Sequence, residues 1–194
     1  MGAGRGQRYG REVSEEQMIR GKRIHLRLVR EDDLAVLAQR LNEVEAAGEF
    51  RPVSLVSEPT LHQRYQTNGM WSDDYGKLLI CAEDDRTLGE IMYFATAGYM
   101  SELEIAYRIF RPEDRGLGVA TEALALLTSF LFDLREMNRL RLMIDPANIG
   151  SRRVAEKCGY TLEGTARGCV FHHARFHNMN VYAMLRDEAL SQRK

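Results

Sequence analysis

The sequence predicts an α/β chain of the α+β type: a mixed, mostly antiparallel sheet of about six to seven strands with helices on both faces. Three observations carry that prediction. Short segments that alternate apolar and polar residues recur between residues 22 and 186, the mark of half-buried strands. Two of them, in "KLLICAEDDRTLGEIMYFAT" (77–96), are joined by a tight acidic turn and therefore run antiparallel. Between other strands lie segments with apolar residues at helical spacing, most clearly over residues 120–134.

Each element follows in turn. "KRIHLRLV" (22–29) places Ile24, Leu26 and Leu28 on one face of a strand. "REDDLAVLAQRLNEVEAAG" reads as a helix. Asp32 or Asp33 stands at its N-cap, Leu34, Leu37, Ala38 and Leu41 form its apolar stripe, and Gly48 stops it. Residues 57–68 form a second, shorter helix, and the antiparallel pair over 77–96 comes next. In "ELEIAYRIF" (102–110), Leu103, Ile105, Tyr107 and Ile109 face one way, and Glu102, Glu104, Ala106 and Arg108 the other. Pro112 ends this strand because it cannot donate to a ladder. A glycine loop leads to Ala120, Ala123, Leu124, Leu127, Leu131 and Leu134, the stripe of an amphipathic helix. "RLRLMI" (139–144) is another strand. "NIGSRRVAEKCG" is a short helix that begins near Asn148 and is stopped by Gly159, and residues 160–186 read as an extended hairpin.

The 194 residues suit one domain, assigned to 19–194, behind a glycine- and charge-rich tail at 1–18 that lacks an apolar signal segment. Apolar residues make up 44% and charged residues 28%, an ordinary globular balance. A net charge of -1 supplies no general field for nucleic acid. Cys81, Cys158 and Cys169 are odd in number and widely spaced. That pattern suits reduced thiols in a cytoplasmic protein rather than a disulfide scaffold or a zinc ribbon. No apolar run approaches the roughly 18 residues of a membrane span.

The glycine loop carries the chemistry. Arg115-Gly116-Leu117-Gly118-Val119-Ala120-Thr121 leaves a strand and opens a helix. Helix N-termini present unpaired N–H groups and a positive dipole end. Glycines let an anion approach them, and Arg115 adds charge, so the stretch can cradle a pyrophosphate. A turn that needs glycine for its backbone alone is the competing reading. A dinucleotide fingerprint is disfavoured: the third position is Thr121, the strands before the loop are antiparallel, and the next acidic strand end, Asp145, lies beyond the about 20-residue spacing. A Walker loop lacks its Gly-Lys-Ser/Thr.

Arg115-x-x-Gly118-x-Ala120 resembles the R/Q-x-x-G-x-G/A signature of the GCN5-related N-acetyltransferases. "EIAYRI" before it, and "NIGSRRVAEKCGYTLEG" (148–164) and "VYAMLRDE" after it, resemble the RimJ/RimL-like branch, over about residues 19–188. The resemblance implies two central strands that splay to admit acetyl-CoA. The pantetheine would lie along strand 102–110 as an added strand, reaching Ile109 and Phe110. The pyrophosphate would rest on Arg115, Gly116, Leu117, Gly118, Val119, Ala120 and Thr121. Asn148 would bond the pantetheine amide, and Ser151 the cofactor or its leaving thiolate. Arg152, Arg153 and Lys157 would meet the 3′-phosphate, or simply form a solvated helix face.

Acetyl transfer to an amine needs a base, because free amines are largely protonated at neutral pH. Glu104 stands where the resembled family places its strand glutamate. Glu102 shares its face and is held in reserve, and Glu90 is third. The oxyanion would take a backbone N–H near Ile109. Many family members carry a tyrosine acid where this chain has Ala155, so Ser151 or water must protonate the thiolate. Tyr160 reads as a core aromatic. In "HHARFH", His173 and His177 would stand roughly 13 Å apart on a strand, too far for one zinc, so no metal is expected and the segment reads as a polar hairpin surface. Met70, Trp71 and Tyr75 either wall the acceptor cleft or cap the core. The sequence thus predicts an acetyl-CoA-dependent N-acetyltransferase acting on a protein N-terminal α-amine or a small-molecule amine, as a monomer or homodimer without nucleic-acid or membrane partners. A non-catalytic acyl-CoA-binding module on the same fold is the rival.

Overall fold

A computed structural model describes residues 18–43, 49–50 and 55–191. Strands β1 (Met18–Arg20) and β2 (Ile24–Leu28) lead to helices α1 (Leu34–Asn42) and α2 (Glu58–Asn68). Strands β3 (Tyr75–Ala82), β4 (Thr87–Ala95) and β5 (Glu102–Ile109) follow, then helix α3 (Val119–Leu134) and strand β6 (Arg139–Ile144). Helix α4 (Ile149–Lys157), strands β7 (Thr161–His172) and β8 (Arg175–Leu185) and helix α5 (Arg186–Ser191) complete the chain. The strands form one eight-stranded sheet in the order β1-β2-β3-β4-β5-β6-β8-β7. The eighth strand, β1, begins at a residue the sequence reading left in the tail; the rest of that tail lies outside the described residues. So does Gly48, and α1 ends earlier, at Asn42.

Two cores sit on opposite faces. Ile24, Leu26, Ile80, Ile91, Ile105 and Leu140 pack under Leu124, Leu127 and Leu131 of α3 and Ala155 of α4. Val29, Leu79, Cys81 and Phe110 pack under Leu34, Leu37 and Ala38 of α1 and Leu61 of α2. The stripe expected on α3 holds as far as Leu131, whereas Leu134, in the last turn, is exposed. Asp33 stands before α1 without capping it through its side chain. Its carboxylate instead accepts from the Arg30 backbone and from both terminal nitrogens of the buried Arg27.

One feature of the sheet positions the site. Every neighbouring pair is antiparallel except β5 and β6. These two pair only through Glu102↔Arg139, Leu103↔Leu140 and Glu104↔Arg141. Beyond Glu104, β5 stays paired with β4 up to Gly89↔Ile109, and β6 stays paired with β8 up to Ile144↔Asn180. The two strands therefore part as a wedge whose vertex is Glu104.

Candidate active site

The free edge of β5 looks into the wedge. The Phe110 N–H bonds the Leu88 carbonyl at 2.9 Å. In an antiparallel pair the bonding direction alternates, so Ile109, Tyr107 and Ile105 turn their backbone groups away from β4 and toward the gap. An extended chain laid in the gap can pair with them. Phe110 is not available in this way, because its N–H is taken and its ring lies buried in the second core. Ile109 lies about 17 Å along the strand from Glu104. That is too far for one reacting carbonyl to meet both Glu104 and the Ile109 N–H, whereas the N–H groups of Ile105 and Tyr107 lie nearer to Glu104.

The wedge opens toward the glycine loop. Gly116 and Gly118 both adopt left-handed backbone, with φ of 75° and 83°. A Cβ at Gly116 would meet nothing within 4 Å, and one at Gly118 would come within 2.8 Å of Arg23 Nη2. Gly118 is the N-cap of α3, so the N–H groups of Val119, Ala120 and Thr121 open the helix without intrahelical partners. These residues fit a pyrophosphate: a backbone surface with no side-chain cover at Gly116, a helix dipole behind it, and cationic groups beside it. Arg115 reaches the Ile109 carbonyl at 3.3 Å and ties the loop to the end of β5. Arg23, which the sequence reading missed, donates to the Leu117 carbonyl at 2.9 Å while Glu122 accepts from its backbone N–H. Its place in a β1–β2 turn, far away in sequence, gave no signal.

Helix α4 forms the other side. Asn148 is its N-cap and accepts from the Ser151 N–H at 3.0 Å. Ser151 Oγ lies 2.8 Å from the Tyr107 hydroxyl. Burial pushes that phenol up to about 12, so it stays protonated. The sequence places Tyr107 only on the strand face of Leu103, Ile105 and Ile109; its phenol reaches the helix from β5, where Ala155 is fully buried and offers no hydroxyl. Arg152, half-exposed, donates to the Pro146 carbonyl at 3.2 Å and to the Tyr182 hydroxyl at 3.4 Å. Arg153 and Lys157 remain exposed. Tyr160 is a core aromatic, as read, bonded to Thr128 at 2.7 Å.

The acids occupy the opposite face from Tyr107. Glu104 accepts from Arg141 Nε at 3.0 Å. Burial raises its carboxyl above the ordinary glutamate range, although Arg141 pulls the other way. Glu102 is buried and held by Arg139, Arg141 and Thr96. Glu90 is fully buried, 2.6 Å from Lys77 Nζ and 3.6 Å from Arg108 Nη2. Of the three, Glu104 alone stands at the vertex, and the face they share is a floor of paired charges. A cavity of about 510 Å³ adjoins it on this face, lined by Leu61, Arg64, Met70, Tyr75, Lys77 and Met92 among others. Met70 and Tyr75 thus wall the cavity, whereas Trp71 packs on Tyr93 and Phe130 beneath α3.

The histidines correct the sequence reading. His173 and Ala174 take left-handed angles, φ 46° and 58°, and fold the segment into a tight hairpin. His172, not His173, then lies against His177, with stacked rings 3.6 Å apart. Asp145 Oδ2 is 3.2 Å from His177 Nδ1. The expectation of no metal rested on extended spacing, which the turn removes.

The parallel β5–β6 pair thus parts beyond Glu104 and opens toward the left-handed glycines that precede α3. The chain belongs to the acetyltransferase (GNAT) domain family, whose pattern matches residues 23–161, and it is an N-acetyltransferase of that type. It is 27% identical to the probable N-acetyltransferase YjcK of Bacillus subtilis (strain 168) over 176 residues, 87% of this chain and 97% of that protein. Its fold is similar to that of RimL, the ribosomal L7/L12 α-N-protein acetyltransferase in complex with coenzyme A. The TM-score is 0.76 and the identity 19%, over 89% of this chain and 99% of the other. The spermidine N-acetyltransferase from Vibrio cholerae, in complex with CoA and spermine, gives a TM-score of 0.75 at 17% identity over 88% and 99%. Among the described residues no helix is long and apolar enough to cross a membrane.

Proposed function

We propose that the chain moves an acetyl group from acetyl-CoA directly to a primary amine, with Glu104 as the base and Ser151, backed by Tyr107, as the acid. The observation that carries this reading is the vertex of the wedge. Glu104 ends the paired stretch on one face, and the Tyr107–Ser151 pair stands just beyond it on the other. Bound acetyl-CoA supplies the activated acetyl thioester. Gly116 to Thr121 and Arg115 would hold its pyrophosphate, β5 its pantetheine, and Arg153 or Lys157 its 3′-phosphate.

The amine approaches on the Glu104 face. Glu104 removes its proton, directly or through one water, and its raised carboxyl makes it a stronger base than an ordinary glutamate. The backbone N–H of Ile105 or Tyr107 takes the charge that develops on the carbonyl oxygen. On the far face Ser151 Oγ–H gives a proton to the leaving sulfur, the protonated Tyr107 hydroxyl holds the serine oxygen by a hydrogen bond across the 2.8 Å contact, and solvent returns the proton to Ser151. Each cation on the cleft floor, Lys77, Arg108, Arg139 and Arg141, already faces a glutamate. Among the described residues the floor therefore lacks the surplus negative charge a polyamine needs, which supports a monoamine: an N-terminal α-amine or a small molecule.

Coenzyme A and acetyl-CoA raise the melting temperature, whereas NAD and ATP leave it unchanged. At a hundredfold excess over Kd the stabilisation is about 2.7 kcal/mol, which differential scanning fluorimetry resolves. Stabilisation by NAD alone would restore the dinucleotide reading. Ser151→Ala and Tyr107→Phe lower the rate in a way that high pH does not rescue, because they act on the leaving group. Recovery of Ser151→Ala at high pH would assign thiolate protonation to water.

A further inference from the structure

Asp145, His172 and His177 lie outside the machinery just described, and each offers a ligand atom within 4.8 Å of the others. His172 is 5% exposed, and neither of its ring nitrogens has a hydrogen-bond partner. A buried imidazole without partners is costly to keep. Its ring is held against His177 and aimed at the same small space. Asp145 Oδ1 accepts from the Ala147 N–H at 2.8 Å, which fixes the carboxylate and leaves Oδ2 to face the histidines. The 3.2 Å from Oδ2 to His177 Nδ1 matches the about 3.3 Å edge between two ligands of a tetrahedral zinc at 2.0–2.1 Å.

We infer that Asp145, His172 and His177 form a binding site for a divalent transition metal, zinc by ligand type, that clasps the tip of the β7–β8 hairpin to the loop before α4. Two imidazoles and a carboxylate make a borderline N/O set that suits zinc over magnesium or calcium. Uptake requires small movements. The stacked His172 ring must tilt so that its lone pair meets the metal in the ring plane. Arg175, whose Nε donates to His177 Nε2 at 3.1 Å, must release that nitrogen so that it can carry a proton. Arg175 is exposed and free to swing into solvent. A water completes the tetrahedron. The other cluster, His25, Cys81 and Asp85, is a poorer host, because Arg27 and Arg30 both stand within 4.0 Å of Asp85 and oppose a cation.

The test titrates the full chain, free of any affinity tag, with zinc and with cobalt(II) in chelator-free buffer. Calorimetry should give one zinc per chain, and cobalt should give visible bands of a four-coordinate N/O site without thiolate charge transfer. His172→Ala and His177→Ala should each weaken zinc by no less than the about 10–100-fold that loss of an outer-shell partner costs. Zinc should raise the melting temperature of the wild type and not of either variant, with circular dichroism showing that both are folded. Failure of the wild type to bind zinc would overturn the inference. So would binding that survives both substitutions, or a thiolate-to-cobalt band, which would place the metal at Cys81.

Discussion

Glu104→Gln lowers the acetyl-transfer rate by roughly 10²–10⁴ near neutral pH, the range for removing a general base, and leaves coenzyme A affinity unchanged. Glutamine keeps the shape and can still accept from Arg141, but it cannot take a proton. With Glu104 as the proposed base, wild-type activity needs its carboxylate. Because burial raises this group, its deprotonated form is lost as pH falls through a value above the ordinary glutamate range, and the acid limb of the pH–rate profile sits there. The variant loses that limb. Its rate climbs instead with the fraction of neutral amine, toward about pH 8 for an α-amine or above 10 for a lysine. Glu102→Gln has a smaller effect, because Glu102 is tied to Arg139, Arg141 and Thr96 and acts on Glu104 through the shared Arg141 and through its own charge. A wild-type profile from Glu104→Gln together with an impaired Glu102→Gln would move the base two residues along the same face. Wild-type profiles from both would leave proton removal to water or Glu90.

Gly118→Val abolishes useful cofactor binding while the fold survives. At φ 83° an L-residue pays about 1–2 kcal/mol, and β-branching stiffens it further. The added Cβ would also crowd Arg23 Nη2, the mobile end of an exposed side chain. Relaxation of either strain turns the N–H groups that open α3. Each bond from such a group to a charged phosphate contributes about 1.5–3 kcal/mol, so losing one or two weakens coenzyme A by roughly 10-fold to 10⁴-fold. Gly164→Ala, with open space around it and no left-handed φ, is the silent control. Unchanged coenzyme A affinity in a folded Gly118→Val chain would remove the cradle from the site.

What the sequence showed and what it hid divide along physical lines. The alternation in "ELEIAYRIF" placed Glu104 and Tyr107 on opposite faces, because strand period two is local information. The glycines and Asn148 were legible for the same reason: φ above zero and helix capping depend on a few adjacent residues. Pairings across the fold were not legible. Arg141 on Glu104, Arg23 on the loop carbonyl and Tyr107 on Ser151 join residues far apart in sequence. The contacts of Arg152 with the Tyr182 hydroxyl and the Pro146 carbonyl were equally hidden. The straight strand read through the histidines breaks at one turn. His173 and Ala174, neither a glycine, adopt left-handed angles that composition gives no reason to expect, and the reversal that follows brings together residues a straight strand would separate.

The central claim is that the wedge transfers acetyl groups and does not merely hold a thioester. The most direct measurement incubates the chain with acetyl-CoA and a panel of N-terminal peptides and small amines, following free thiol and acceptor mass together. The predicted result is amine-dependent release of coenzyme A, matched one for one by an acceptor heavier by a single acetyl group. Tight coenzyme A binding with no acetylated acceptor across the panel would contradict the claim and leave an acyl-CoA-binding module.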